Sequence, residues 1–197
     1  MVRRGVVVKQ ATLQSDKAPK FVDFKDVLEN GDVHIASAWR GQLEETLEKA
    51  KAGIPICVCL NLEDLKCFES VECQYERWGV IFQNSIAIQP SNPAFPTHSG
   101  QIVLMGSPKS GFLEASFIHP VNYVSAYVTS SQRLVMSAYD RDRQLLRQTV
   151  LSGANLANSD SVVPPNTLLS VSAKNIHSVT FCAFDGQFTL DDFRFCI

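Results

Sequence analysis

Long apolar runs are missing from this chain: nothing approaches the ~20 consecutive residues that a bilayer span requires, so no membrane span is expected. The opening Met1-Val2-Arg3-Arg4-Gly5-Val6-Val7-Val8 resembles an export signal, but Lys9 and Gln10 cut its apolar stretch short. A surplus of one charge is missing too. Eighteen basic residues against 20 acidic ones leave a formal net charge of -2, without the basic surface needed to neutralise a phosphate backbone, which excludes nucleic acid as a partner. There is no Asn-x-Ser/Thr sequon. These absences predict a cytoplasmic or other intracellular soluble protein, extracellular only if an export signal has been removed. Tryptophan is scarce, with Trp39 and Trp78 the only two, and both are read as packing residues.

Catalytic signatures are absent as well. No Gly-x-Ser-x-Gly elbow occurs, and Gly106 and Gly111 have P-loop spacing with Phe112 where lysine is needed. His34, His98, His119 and His177 form no pair at two- or four-residue spacing. The six cysteines, at 57, 59, 67, 73, 182 and 196, include no Cys-x-x-Cys. They read first as buried free thiols, with Cys57 and Cys59 on one face of a strand; the alternatives are a Cys67–Cys73 bridge, or Cys196 meeting Cys57 or Cys59 if the first and last strands are neighbours. Asp140 and Asp142 begin like a calcium loop but lack its glycine and distal glutamate, so a solvated hairpin tip is expected there. Asp185, Asp191 and Asp192 cluster in sequence, but nothing places them in a cleft, and no catalytic residue is assigned.

What is present is a globular composition, 45% hydrophobic and 19% charged. From Ile56 onward apolar residues alternate, and turn residues recur every ten or so positions. Eleven strands are predicted: 56–61, 79–82, 86–89, 100–105, 111–117, 123–129, 134–139, 145–150, 167–172, 178–184 and 187–195. Asp185-Gly186, between two such runs, reads as a tight hairpin with glycine at positive φ. Short strands without helical crossovers imply an antiparallel, two-sheet β-sandwich.

Residues 1–53 differ and are read as an N-terminal arm in front of a domain at 54–197. Ser37 is placed as the cap of one amphipathic helix over 37–52, with Trp39, Leu43, Leu47 and Ala50 on one face and Gly53 and Pro55 ending it. A one-sided apolar stripe must be covered, which points to a protein partner docking through the arm and its helix.

Five motifs occur in order: Leu62-Glu63-Asp64-Leu65 with Gln74 to Phe82; Phe117 with Pro120-Val121; Ala138-Tyr139-Asp140; and Phe188-Thr189-Leu190-Asp191-Asp192-Phe193. Together, over residues 56–197, they resemble a family of bacterial and cyanobacterial jelly-roll modules, galactose-binding-like and related to carbohydrate-binding domains. The resemblance implies a jelly-roll sandwich. It also implies a structural calcium ion held by an acidic residue of the first strand and an aspartate of the last, here Glu63 and Asp191, with backbone carbonyls. Functionally it implies a carbohydrate-binding, lectin-like module or, in a few members, a calcium-dependent cyclase using Asp191 or Asp192. The residues themselves point to a non-catalytic interaction module serving as an adaptor or scaffold; the carbohydrate binder is the alternative.

Overall fold

The computed structural model describes residues 33–39, 56–106 and 111–197. Ten strands run in chain order: β1 (Val33–Ala36), β2 (Cys57–Leu60), β3 (Val80–Gln83), β4 (Ser85–Ile88), β5 (Val103–Gly106), β6 (Phe112–Ser130), β7 (Leu134–Tyr139), β8 (Leu145–Leu151), β9 (Thr167–Cys182) and β10 (Phe188–Cys196). Among the described residues there is no α-helix, only single 3₁₀ turns at Leu62–Asp64 and Glu76–Trp78.

The strands join in one hydrogen-bonded sheet in the order β1-β2-β10-β6-β9-β7-β8, with β3 on β6 and the β4–β5 pair on β10. At its centre lies the long antiparallel pair β6–β9, of 19 and 16 residues. This pair loses register between Ser116 and Val121. Pro120, which has no N–H to give a ladder, sits in that interval, and Asn175 on the opposite strand has φ 59. The first half of β6 carries β3 and the last half of β9 carries β7, whereas the second half of β6 carries β10.

The two limbs close on each other through aromatic rings. Phe82 of β3 meets Phe193 of β10 edge-on at 5.3 Å, Phe181 of β9 lies 6.4 Å from both Phe188 and Phe193, and Phe117 lies 5.3 Å from Phe195. Phe82, Phe181, Phe188, Phe193 and Phe195 are all fully buried. Each such side chain contributes roughly 1.5–3 kcal/mol of burial. The described strands thus form one continuous, mainly antiparallel sheet with a shared aromatic core, where the sequence predicts two separate sheets.

Three local readings change. The predicted strand pairs 111–117/123–129 and 167–172/178–184 are continuous strands, because the intervening residues bend without turning back. Asp185-Gly186 is not a hairpin: β9 and β10 occupy opposite edges of β6, so the connection must arch between limbs, and the positive φ falls on Asp185 at 51. Thirdly, β1, from the stretch assigned to the arm, pairs parallel to β2. Trp78 Nε1 donates to the Ser37 carbonyl at 3.1 Å, fastening the end of β1 to the core.

Of the predicted helix 37–52, only 37–39 lie within the described residues, and they form a turn. Trp39 has φ 62 and is 60% exposed there, so it is neither helical nor the packing residue expected. Residues 40–52 lie outside the described residues.

Candidate functional site

The two residues assigned to calcium are brought to one loop. β2 pairs antiparallel with β10, so the first and last core strands are neighbours. Glu63, in the 3₁₀ turn after β2, and Asp191, on β10, reach opposite ends of the segment 98–102. Asp191 Oδ2 accepts the backbone N–H groups of His98 and Ser99, at 2.7 and 3.0 Å. Its Oδ1 accepts the Asp192 N–H at 2.7 Å and the Ser99 hydroxyl at 3.3 Å. Glu63 Oε1 accepts the N–H groups of Gln101 and Ile102, both at 2.9 Å. Burial pushes the Asp191 carboxyl above its usual range, against the opposing pull of the three backbone N–H donors.

This donor set does not fit calcium, which takes six to eight oxygens. N–H groups, not carbonyls, face the carboxylates, and among the described residues no group of three or more His, Cys, Asp or Glu is arranged to hold a metal ion.

Beside this loop β10 is bulged between Asp191 and Arg194, with Asp192 at φ 45. Asp192 accepts from Ser99 Oγ at 2.7 Å and pairs with His98 Nδ1 at 2.9 Å, while the His98 ring stacks on Tyr127 at 3.5 Å. Asp185 lies apart, exposed in the arch between β9 and β10.

The same loop forms one wall of a cleft. A cavity of about 190 Å³ is lined by Phe68, Gln89, Asn92, Phe95, Gln187 and neighbouring residues. It adjoins a second of about 510 Å³ that shares Gln89 to Asn92 and Phe95 and ends on Thr97, Gly100 and Gln101. The pair falls in the ~300–1,000 Å³ range of small-ligand sites. Among the described residues lining either cavity there is no Asp, Glu, Lys, Arg or His. Donors and acceptors are amides and hydroxyls.

Phe68 stands at the rim. It is 82% exposed and has φ 67, a conformation that costs a bulky side chain about 1–3 kcal/mol. Its N–H donates to the Ala87 carbonyl at 2.7 Å, and Val71 N–H to Ser85, so strand β4 holds the segment in place. Cys67 Sγ accepts the Gln89 N–H at 3.3 Å, joining that rim to the cleft floor.

Sequence reading missed Phe68, Gln89 and Asn92. Phe68 lies in a polar stretch without periodicity, and Pro90-Ser91-Asn92-Pro93 carries only a turn signal. The one usable clue is a large aromatic ring in a short loop between the charged Lys66 and Glu69.

Cys57 and Cys196 form a disulfide. Cys59 is buried and free, Cys67 and Cys73 are exposed and free, and Cys182 is half-buried and free. The meeting of the chain's first and last core strands therefore decides the pairing, and Cys67 and Cys73 do not bridge. Among the described residues no helix is long and apolar enough to cross a membrane.

No family model matches the chain, and no curated protein matches it. Solved structures do. TmCBM61 in complex with β-1,4-galactotriose is similar at 12% identity and TM-score 0.36, over 60% of this chain and 87% of its own. A DUF4465 family protein from Bacteroides caccae is similar at 9% identity and TM-score 0.39, over 59% and 81%. The CBM22-1 and GH10 modules of the Clostridium thermocellum xylanase 10B, complexed with xylohexaose, match at 11% identity and TM-score 0.34, over 59% of this chain and 26% of theirs.

Proposed function

We propose that this chain is a non-catalytic carbohydrate-binding module that takes an uncharged sugar in the cleft beside Phe68. The observation that carries this reading is Phe68 itself. An aromatic ring held almost fully in water, in a backbone conformation that costs energy, gains nothing for the fold; over the apolar face of a sugar ring it gains contact area. Amides at Gln89, Asn92, Gln101 and Gln187 supply paired donors and acceptors for hydroxyls. With no ionised lining residue among those described, a uronate or sialate would lose its hydration without gaining a counter-charge.

The jelly-roll description of the folded-over sheet belongs to this reading, as does an extracellular home, which the Cys57–Cys196 disulfide supports because such bonds persist in oxidising compartments.

The test is binding of neutral galactans, xylans and glucans to the intact chain by isothermal titration, with Phe68→Ala alongside. Saturable binding that falls at least tenfold in the variant supports the proposal. Absence of binding across a broad glycan array, or equal affinity in the variant, rejects it.

A further inference from the structure

We infer that Glu63 and Asp191 form a metal-independent clamp in which backbone N–H groups of the 98–102 loop take the place of a cation. Four N–H dipoles point at the two carboxylates, two at each, all within 2.7–3.0 Å. Successive amides directed at one point build a region of positive potential, the arrangement that proteins use to hold anions. Here the anions are the protein's own. A divalent ion in the same place would meet the positive ends of these dipoles, and its carbonyl ligands would have to come from turning the loop over, at the loss of four charge-assisted hydrogen bonds.

Gly100 makes the two-sided grip possible. It lies between the two pairs of donors with φ +57, and a Cβ there would stand 2.3 Å from Glu63 Oε1. A side chain at this position would therefore be strained and would displace the carboxylate from Gln101 and Ile102.

The clamp also has a detailed asymmetry. Glu63 uses only Oε1 toward the loop, an atom that glutamine retains. Asp191 accepts through both oxygens, so asparagine would turn an N–H₂ donor toward one set of N–H or O–H donors. Because Thr97, Gly100 and Gln101 line the larger cavity, Glu63 and Asp191 act as positioning residues for the cleft wall. Only that last step rests on the carbohydrate reading; no measurement below uses a sugar, so the two can fail separately.

The experiment is thermal unfolding of the full chain in EDTA and in millimolar calcium chloride, with Glu63→Gln, Glu63→Ala and Asp191→Asn, plus amide hydrogen exchange over residues 98–102. The clamp predicts that EDTA and calcium each move Tm by less than about 1 °C. It predicts that Glu63→Gln stays within about 2 °C of the parent, while Glu63→Ala and Asp191→Asn fall by several degrees. Exchange at Gln101 and Ile102 should rise at least tenfold in Glu63→Ala. If Asp191→Asn fails to fold, the two Glu63 variants still decide. Calcium raising Tm by several degrees, with Glu63→Gln abolishing that rise, overturns the inference; so does unchanged exchange in Glu63→Ala.

Discussion

Cys57 and Cys196 sit directly opposite each other on β2 and β10, bonded across a sequence separation of 139. The bridge ties the first antiparallel core strand to the last, where β10 also pairs with β6 and the rest of the sheet is fastened. Closing so long a loop removes much of the unfolded chain's freedom, an effect of about 2–5 kcal/mol when such a bond is lost. Reduction, or the pair Cys57→Ser with Cys196→Ser, should lower Tm by roughly 5–15 °C. Scanning calorimetry with and without a phosphine reductant checks this; coincident curves would show that the bond is not formed.

The remaining thiols should separate cleanly. Cys67 and Cys73 are exposed, whereas Cys59 is buried between β1 and β10 and its thiol is pushed up by desolvation, with Arg194 opposing. Iodoacetamide at pH 8 should label Cys67 and Cys73 first, Cys182 slowly and Cys59 only on unfolding, as peptide mass spectrometry will read. The sign of the pH effect follows from the raised value. Cys59 contributes stability that is complete below the ordinary thiol value of 9.0 and is lost as pH rises through the higher folded value. Cys59→Ala should flatten the alkaline fall in Tm; identical slopes would contradict the assignment.

A similar burial makes the β7–β8 hairpin more than a solvated tip. The turn is capped by Asp140, which accepts the N–H groups of Asp142 and Gln144, but Arg143 folds back from it. Its guanidinium pairs with both oxygens of the buried Glu114 on β6, donates to Ser178 Oγ and lies over the Tyr139 ring at 5.3 Å. Arg143→Ala strands a carboxylate that is nearly buried, which costs about 1–3 kcal/mol after discounting for the exposed arginine. Adding Glu114→Gln should recover part of that loss, because the uncompensated charge goes with it. Urea denaturation of the two single variants and the double one measures the coupling; strict additivity would remove the pair from the account.

How far the sequence speaks depends on the kind of signal. Alternation of apolar residues in 134–139 and 187–195 is a one-dimensional pattern, and β7 and β10 appear within a residue of where it places them. The neighbouring of β2 and β10 entered only as what the family resemblance implies, and the strands do pair. The folding-over at Ser116–Val121 was not legible, because a bend in a continuous strand and a turn between two strands share the same proline and polar residues. Asp185-Gly186 misled for a related reason: the dipeptide sets a local turn, while the partner of each strand is decided by which edges of β6 are free. At the site, the resemblance singled out Glu63 and Asp191, and both hold the same loop. Their role was not legible, since a carboxylate holding a metal and one holding amides have the same letter. Phe68 was least legible of all, as exposure is a property of what fails to pack against a side chain.

Phe68 supports the sharpest separation of stability from function. At φ 67 asparagine is better tolerated than a bulky aromatic, and with 82% of the residue exposed the ring has little burial to lose. Phe68→Asn should therefore leave the melting temperature unchanged or raise it, by up to about 1 kcal/mol in stability, while reducing neutral-sugar affinity by tenfold or more. Calorimetry and titration on the same preparation give both numbers. A variant that loses stability would mean the ring packs in solution and its conformation serves the fold; a variant that keeps full affinity would move any sugar site away from this rim.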